Sequence, residues 1–75
     1  MKKDVEKVEP IEKPFFKVLS WSISPAQVFV IGKKGTELLV IDQQNNKEIG
    51  SGTITPYGVI IGLEYFTKFA KVVIK

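Results

Sequence analysis

The sequence predicts an all-β, mainly antiparallel fold. Three observations carry this expectation. Short runs rich in Val, Ile, Leu and Phe recur from residue 15 to residue 74. Clusters of Gly, Pro, Asn and Ser separate them at close spacing, as turns separate short strands. With 75 residues the chain holds one domain at most.

Residues 1–13, "MKKDVEKVEPIEK", read as a flexible charged tail, and residues 14–75 as a single β-rich domain. The tail carries Lys2, Lys3, Lys7 and Lys13 against Asp4, Glu6, Glu9 and Glu12, so its charges cancel. Val5, Val8 and Ile11 recur every third residue, which allows only a short helix before Pro10.

Residues 15–23, "FFKVLSWSI", alternate as a strand. Unbroken alternation places Phe15, Lys17, Leu19, Trp21 and Ile23 on one face and Phe16, Val18, Ser20 and Ser22 on the other. Ser24-Pro25 signals a turn. Residues 27–31 and 36–42 are two further strands. Between them, Gly32-Lys33-Lys34-Gly35 reads as a hairpin turn, because glycine supplies the positive φ that a tight loop needs. A phosphate-binding loop is the rival. That pattern needs four residues between its glycines, then Lys-Ser/Thr opening a helix, whereas "TELLVID" follows here and reads as a strand.

"QQNN" at residues 43–46 is the next turn, since Asn tolerates left-handed backbone geometry. Residues 47–55 resume as a strand, with Gly50 and Gly52 on one face. Glycines so placed mark a bend or a close backbone approach, here a strand curling around a small barrel. Thr55-Pro56-Tyr57-Gly58 has proline where its fixed φ suits a turn, and residues 59–63 follow as a strand.

Residues 64–75 are ambiguous. Glu64, Lys68, Lys71 and Lys75 would form a polar stripe on a helix, with Glu64 pairing Lys68. "AKVVIK" alternates and is β-branched. The expectation is one helical turn over residues 64–68, then a strand over residues 69–74. A single helix from Leu63 onward is the alternative. The sum is a small five- to six-stranded barrel or sandwich, SH3-like or OB-like in size.

Composition narrows the function. The chain has no Cys and no His, so thiolates, soft metal sites and the usual near-neutral general base are missing. Ser20, Ser22, Ser24 and Ser51 have no His to activate them. Glu37 and Asp42 fall on opposite faces of one strand and make no simple acid pair. No enzyme activity, metal, cofactor or small-molecule substrate is expected. No segment has the form of a signal peptide or of a membrane span. A soluble, cytoplasmic protein with no membrane partner is the expectation.

Net charge is +3, and all eleven basic residues are Lys. Arg, the usual reader of guanine, is absent, which argues against sequence-specific nucleic-acid recognition.

Eight aromatic side chains in so short a chain exceed what a small core encloses. An interaction surface is therefore expected among Phe16, Trp21, Tyr57, Tyr65 and Phe66, serving protein–protein contact or self-assembly. The alternative is non-sequence-specific binding of single-stranded nucleic acid by Lys33, Lys34, Lys68, Lys71 and Lys75, with Trp21 and Tyr57 as stacking surfaces. A third reading has the charged tail fold onto a protein partner.

Overall fold

A computed structural model describes residues 14–75; the expected N-terminal tail lies outside the described residues. Within them the chain forms six antiparallel strands and no helix. These are β1 (Phe16–Ile23), β2 (Ala26–Gly32), β3 (Glu37–Asp42), β4 (Lys47–Thr53), β5 (Val59–Gly62) and β6 (Ala70–Ile74). They make two three-stranded sheets. The first has the order β1-β2-β5 and the second β4-β3-β6.

The inner faces of both sheets share one core. Val28, Val30 and Ile61 come from the first sheet. Leu38, Val40, Ile49 and Val72 come from the second, and Ile54 from the connection between β4 and β5. Each such side chain contributes about 1.5–3 kcal/mol relative to exposure.

β1 and β2 form a hairpin closed by Ser24 and Pro25, whose peptide bond is cis. Their register shifts between Val18 and Ser20, which leaves Leu19 as the extra residue of a bulge. The bulge corrects the predicted faces. Phe16 and Val18 pack toward the core, and beyond Leu19 it is Trp21, paired with Val28, that takes the core side. Lys17, Ser20 and Ser22 take the outer face. Strict alternation fails because one inserted residue reverses every side chain after it.

The link 32–35 is a turn, with Gly35 at φ +89° and the Thr36 N–H donating to Lys33 O at 3.1 Å. It is not a hairpin. β2 pairs with β1 and β5, and β3 pairs with β4 and β6, so the turn carries the chain from one sheet to the other. Its amides are committed elsewhere: Lys33 N–H donates to Phe15 O and Gly35 N–H to Ile54 O.

"QQNN" does close a hairpin, β3–β4, with Asn46 at φ +55°. The next turn is fastened by Gly58 N–H to Thr55 O at 2.9 Å and by Tyr57 N–H to Thr55 Oγ1 at 3.1 Å.

Gly50 and Gly52 mark a close approach between the sheets. A Cβ on Gly50 would lie 2.9 Å from Gly62 O, and one on Gly52 would lie 2.9 Å from Ile61 Cγ1. β4 and β5 meet there without forming a ladder, so the sheets remain separate and the barrel is not closed.

The helical turn expected at residues 64–68, and the helix from Leu63 onward, are not formed. Tertiary partners win over the local spacing. Glu64 N–H donates to Ile49 O, and the Glu64 carboxylate pairs with Lys47 at 3.1 Å rather than with Lys68. Tyr65 reaches the second sheet at Asp42, while Phe66 meets Trp21 of the first. The segment bends at residues 64–65 and turns at residues 68–69 instead of winding into a helix. β6 then follows as a strand.

Candidate interface

Directly paired residues of an antiparallel ladder share a face. On the outer face of the first sheet, Lys17 pairs with Ile31. Ser20, Phe29 and Ile60 form the next row across β1, β2 and β5, and Ser22, Gln27 and Gly62 the last. Phe29, Ile31 and Ile60 therefore make a contiguous apolar strip, with Ile60 60% and Ile31 37% exposed. The Pro56–Gly58 turn lies against it. A Cβ on Gly58 would sit 3.0 Å from Ile31 Cγ2 and from Phe29 Cε1, and Gly58 holds φ +99°. This places Tyr57, 90% exposed, beside the strip.

Charge separates the two outer faces. The three strands of the first sheet contain one charged residue, Lys17, and no acid. On the second sheet, Glu37, Glu48 and Lys71 surround the half-buried Leu39, Ile41 and Val73.

The five aromatic residues singled out from the sequence do not form one surface. Phe16 is half-buried against the core. Trp21, 39% exposed, meets Phe66 edge to face at 6.4 Å. Tyr65 is partly buried and bonded to Asp42. Tyr57 alone of the five stands beside the strip.

The lysines fall into two groups, Lys33, Lys34 and Lys75 at the Glu37 end of β3 and Lys68 and Lys71 at its Asp42 end. Lys33 and Lys34 lie in the β2–β3 link. Lys75 sits 3.9 Å from Glu37. Lys71 shares its row with Ile41 and Glu48. Lys68 lies 5.5 Å from the Phe69 ring centre, near the opposite end of β3 from Lys75.

Phe29, Ile31 and Ile60 were missed in the sequence. The available signal was that "VFVI" is apolar on both faces, although a chain this short can cover only one of them. Also missed was a polar cluster around Asp42, which is 3% exposed. Its Oδ1 accepts Gln44 N–H at 3.0 Å and its Oδ2 accepts the Tyr65 hydroxyl at 2.6 Å. The hydrogen bond to Asp42 holds the Tyr65 pKa above its usual value, helped by partial burial and the carboxylate charge. Lys47, 5.6 Å from the Tyr65 ring centre, is likewise raised, first by its hydrogen bond to Glu64 and then by that carboxylate's charge. Among the described residues no group of three or more acidic side chains is arranged to hold a metal ion. No helix among them is long and apolar enough to cross a membrane.

Compared with known protein families, curated proteins and solved structures, the chain gives no match in any of the three.

Proposed function

We propose that this chain is a non-enzymatic binding module that docks a protein partner on the outer face of its first sheet. The observation that carries the reading is the Phe29–Ile31–Ile60 strip with Tyr57 beside it, on strands that bear a single charge. An apolar centre, an exposed Tyr and a rim of Ser and Gln match the composition of protein interfaces. Single-stranded nucleic acid has less support, because its five candidate lysines are split between the two ends of β3, with Lys75 beside Glu37.

The test compares quantitative capture of a defined binding protein by immobilised wild type, Ile60→Lys and Ser51→Lys. Ile60 and Ser51 lie on the outer faces of opposite sheets, and both variants should melt like the wild type. Loss of capture with Ile60→Lys alone is the expected result. Equal capture by all three proteins overturns the proposal. Titration with a mixed single-stranded oligonucleotide should leave the amides of Lys33, Lys34 and Lys68 unshifted at physiological salt.

A further inference from the structure

Each sheet has two edge strands, and three of the four edges are blunted. β1 is broken by the bulge at Leu19. β4 is bulged at Ile49, where its register with β3 shifts between Val40 and Ile41, and it packs against β5 at the glycine corner. β5 has only four residues. Bulges, covering and shortness are the usual ways in which sheet edges are kept from pairing. β6 has no bulge and no covering element among the described residues; it is one residue longer than β5, and the guard it does carry is a single charge, Lys71, on its outer side. It is straight, β-branched and proline-free, and its ladder with β3 runs without a shift from Ala70 to Ile74.

The ladder also fixes which backbone groups face outward. Gln43 N–H donates to Phe69 O at one end, and Lys75 N–H donates to Glu37 O at the other. Hydrogen-bonded pairs alternate along an antiparallel ladder, so Lys71 and Val73 turn their amides and carbonyls toward β3. Those of Val72 and Ile74, with the Ala70 carbonyl, turn to the open edge. The Ala70 N–H is taken by Thr67 O at 3.1 Å. Among the described residues no strand pairs with this edge.

We propose that the β6 edge is a self-association seam, on which a second copy of this chain pairs β6 with β6 antiparallel about a two-fold axis at Val72. This goes beyond the docking face, since it uses the other sheet. The occupant follows from self-complementarity. In this register Val72 exchanges two backbone hydrogen bonds with the partner's Val72. Ile74 N–H meets the Ala70 carbonyl of the partner subunit, and the reverse. On the core side, the large Ile74, 42% exposed, falls opposite the small Ala70. On the outer side, Lys71 falls opposite Val73, never opposite itself. The result is a continuous six-stranded sheet. A seam this short predicts a weak dimer, formed at high micromolar concentration.

The test uses the full chain. Sedimentation equilibrium from micromolar to millimolar concentration reads the dimer constant for wild type, Val73→Glu and Val73→Lys. Val73→Glu places an acid opposite Lys71 twice in each dimer and should tighten association about fivefold at low salt. Val73→Lys places like charges there and should weaken it by a similar factor. Amide exchange in the wild type is the second readout, free of any folding cost. Val72 and Ile74 should exchange fast when dilute and become protected when concentrated, while Lys71 and Val73 stay protected throughout. A monomer at every concentration overturns the proposal. So does a shift in the same direction for both variants, or protection that appears on other strands. None of these outcomes touches the Ile60 face.

Discussion

The Tyr65 hydroxyl donates to Asp42 Oδ2 at 2.6 Å and ties the segment after β5 to the end of β3. The bond joins two stretches 23 residues apart in the chain. It also satisfies a carboxylate that is almost wholly withdrawn from water. A buried carboxylate is tolerated only when its oxygens are paired, and here a phenol and a backbone amide do this. Asp42→Ala strands both donors and should lower stability by about 1–3 kcal/mol. Asp42→Asn keeps the shape and one acceptor and should cost less. Urea titration with an unchanged slope is the measurement. Equal stability of Asp42→Ala and wild type would sink the account.

The same cluster sets an alkaline limit. Tyr65 and Lys47 both have folded-state pKa values raised above their usual 10.0 and 10.5. A raised folded value means that the stabilisation is complete below the unfolded value and is lost as pH rises through the folded one. Melting temperature should therefore show no loss from these groups up to about pH 9 and should fall above about pH 10. Tyr65→Phe should remove the tyrosine part of that fall. A variant with the same alkaline slope as wild type would contradict this.

Two glycines close in space should respond oppositely to alanine. Gly50→Ala drives a Cβ to within 2.9 Å of Gly62 O and Leu63 Cδ2, and should cost about 1–3 kcal/mol. A Cβ on Gly62 meets no atom within 4 Å, so Gly62→Ala should be neutral or slightly stabilising. Thermal melts of the two variants decide the point, and comparable losses would refute the close approach of the sheets.

Thr36 is 5% exposed, and its Oγ1 has no hydrogen-bond partner. Its hydroxyl loses water without compensation on folding. Thr36→Val keeps the branched shape and removes the orphan, and should raise stability by about 1 kcal/mol. A loss of that size would show that the hydroxyl is paired in solution.

Much of the strand layout was legible because it rests on local pattern. "ELLVID", "QQNN" and "TPYG" each carry their own geometry, and the strands and turns fall where those residues put them. What was illegible depends on partners distant in sequence. Leu19 looks like any alternating residue, and only the pairing of β2 with β1 reveals it as a bulge. Gly32 to Gly35 has a hairpin's composition, yet sheet membership is decided by β5 and β6, which come later. The polar spacing from Glu64 onward is helical, but Lys47, Asp42 and Trp21 claim Glu64, Tyr65 and Phe66 one by one. The candidate interface was half legible. Tyr57 could be read from its turn, whereas Phe29, Ile31 and Ile60 become a surface only once the ladder sets them side by side.

The order in which the chain visits its sheets has a consequence for how it folds. It lays down β1 and β2 in one sheet, β3 and β4 in the other, and returns with a single strand to each. A nascent chain that has emerged only as far as Gly58 holds two isolated hairpins, and isolated hairpins are marginal in water. The third strand of each sheet arrives with β5 and β6, and their pairings span large loops that are costly in entropy to close. Folding is thus expected as one late cooperative event, slow for a chain of this length, rather than a stepwise assembly from the N-terminal side.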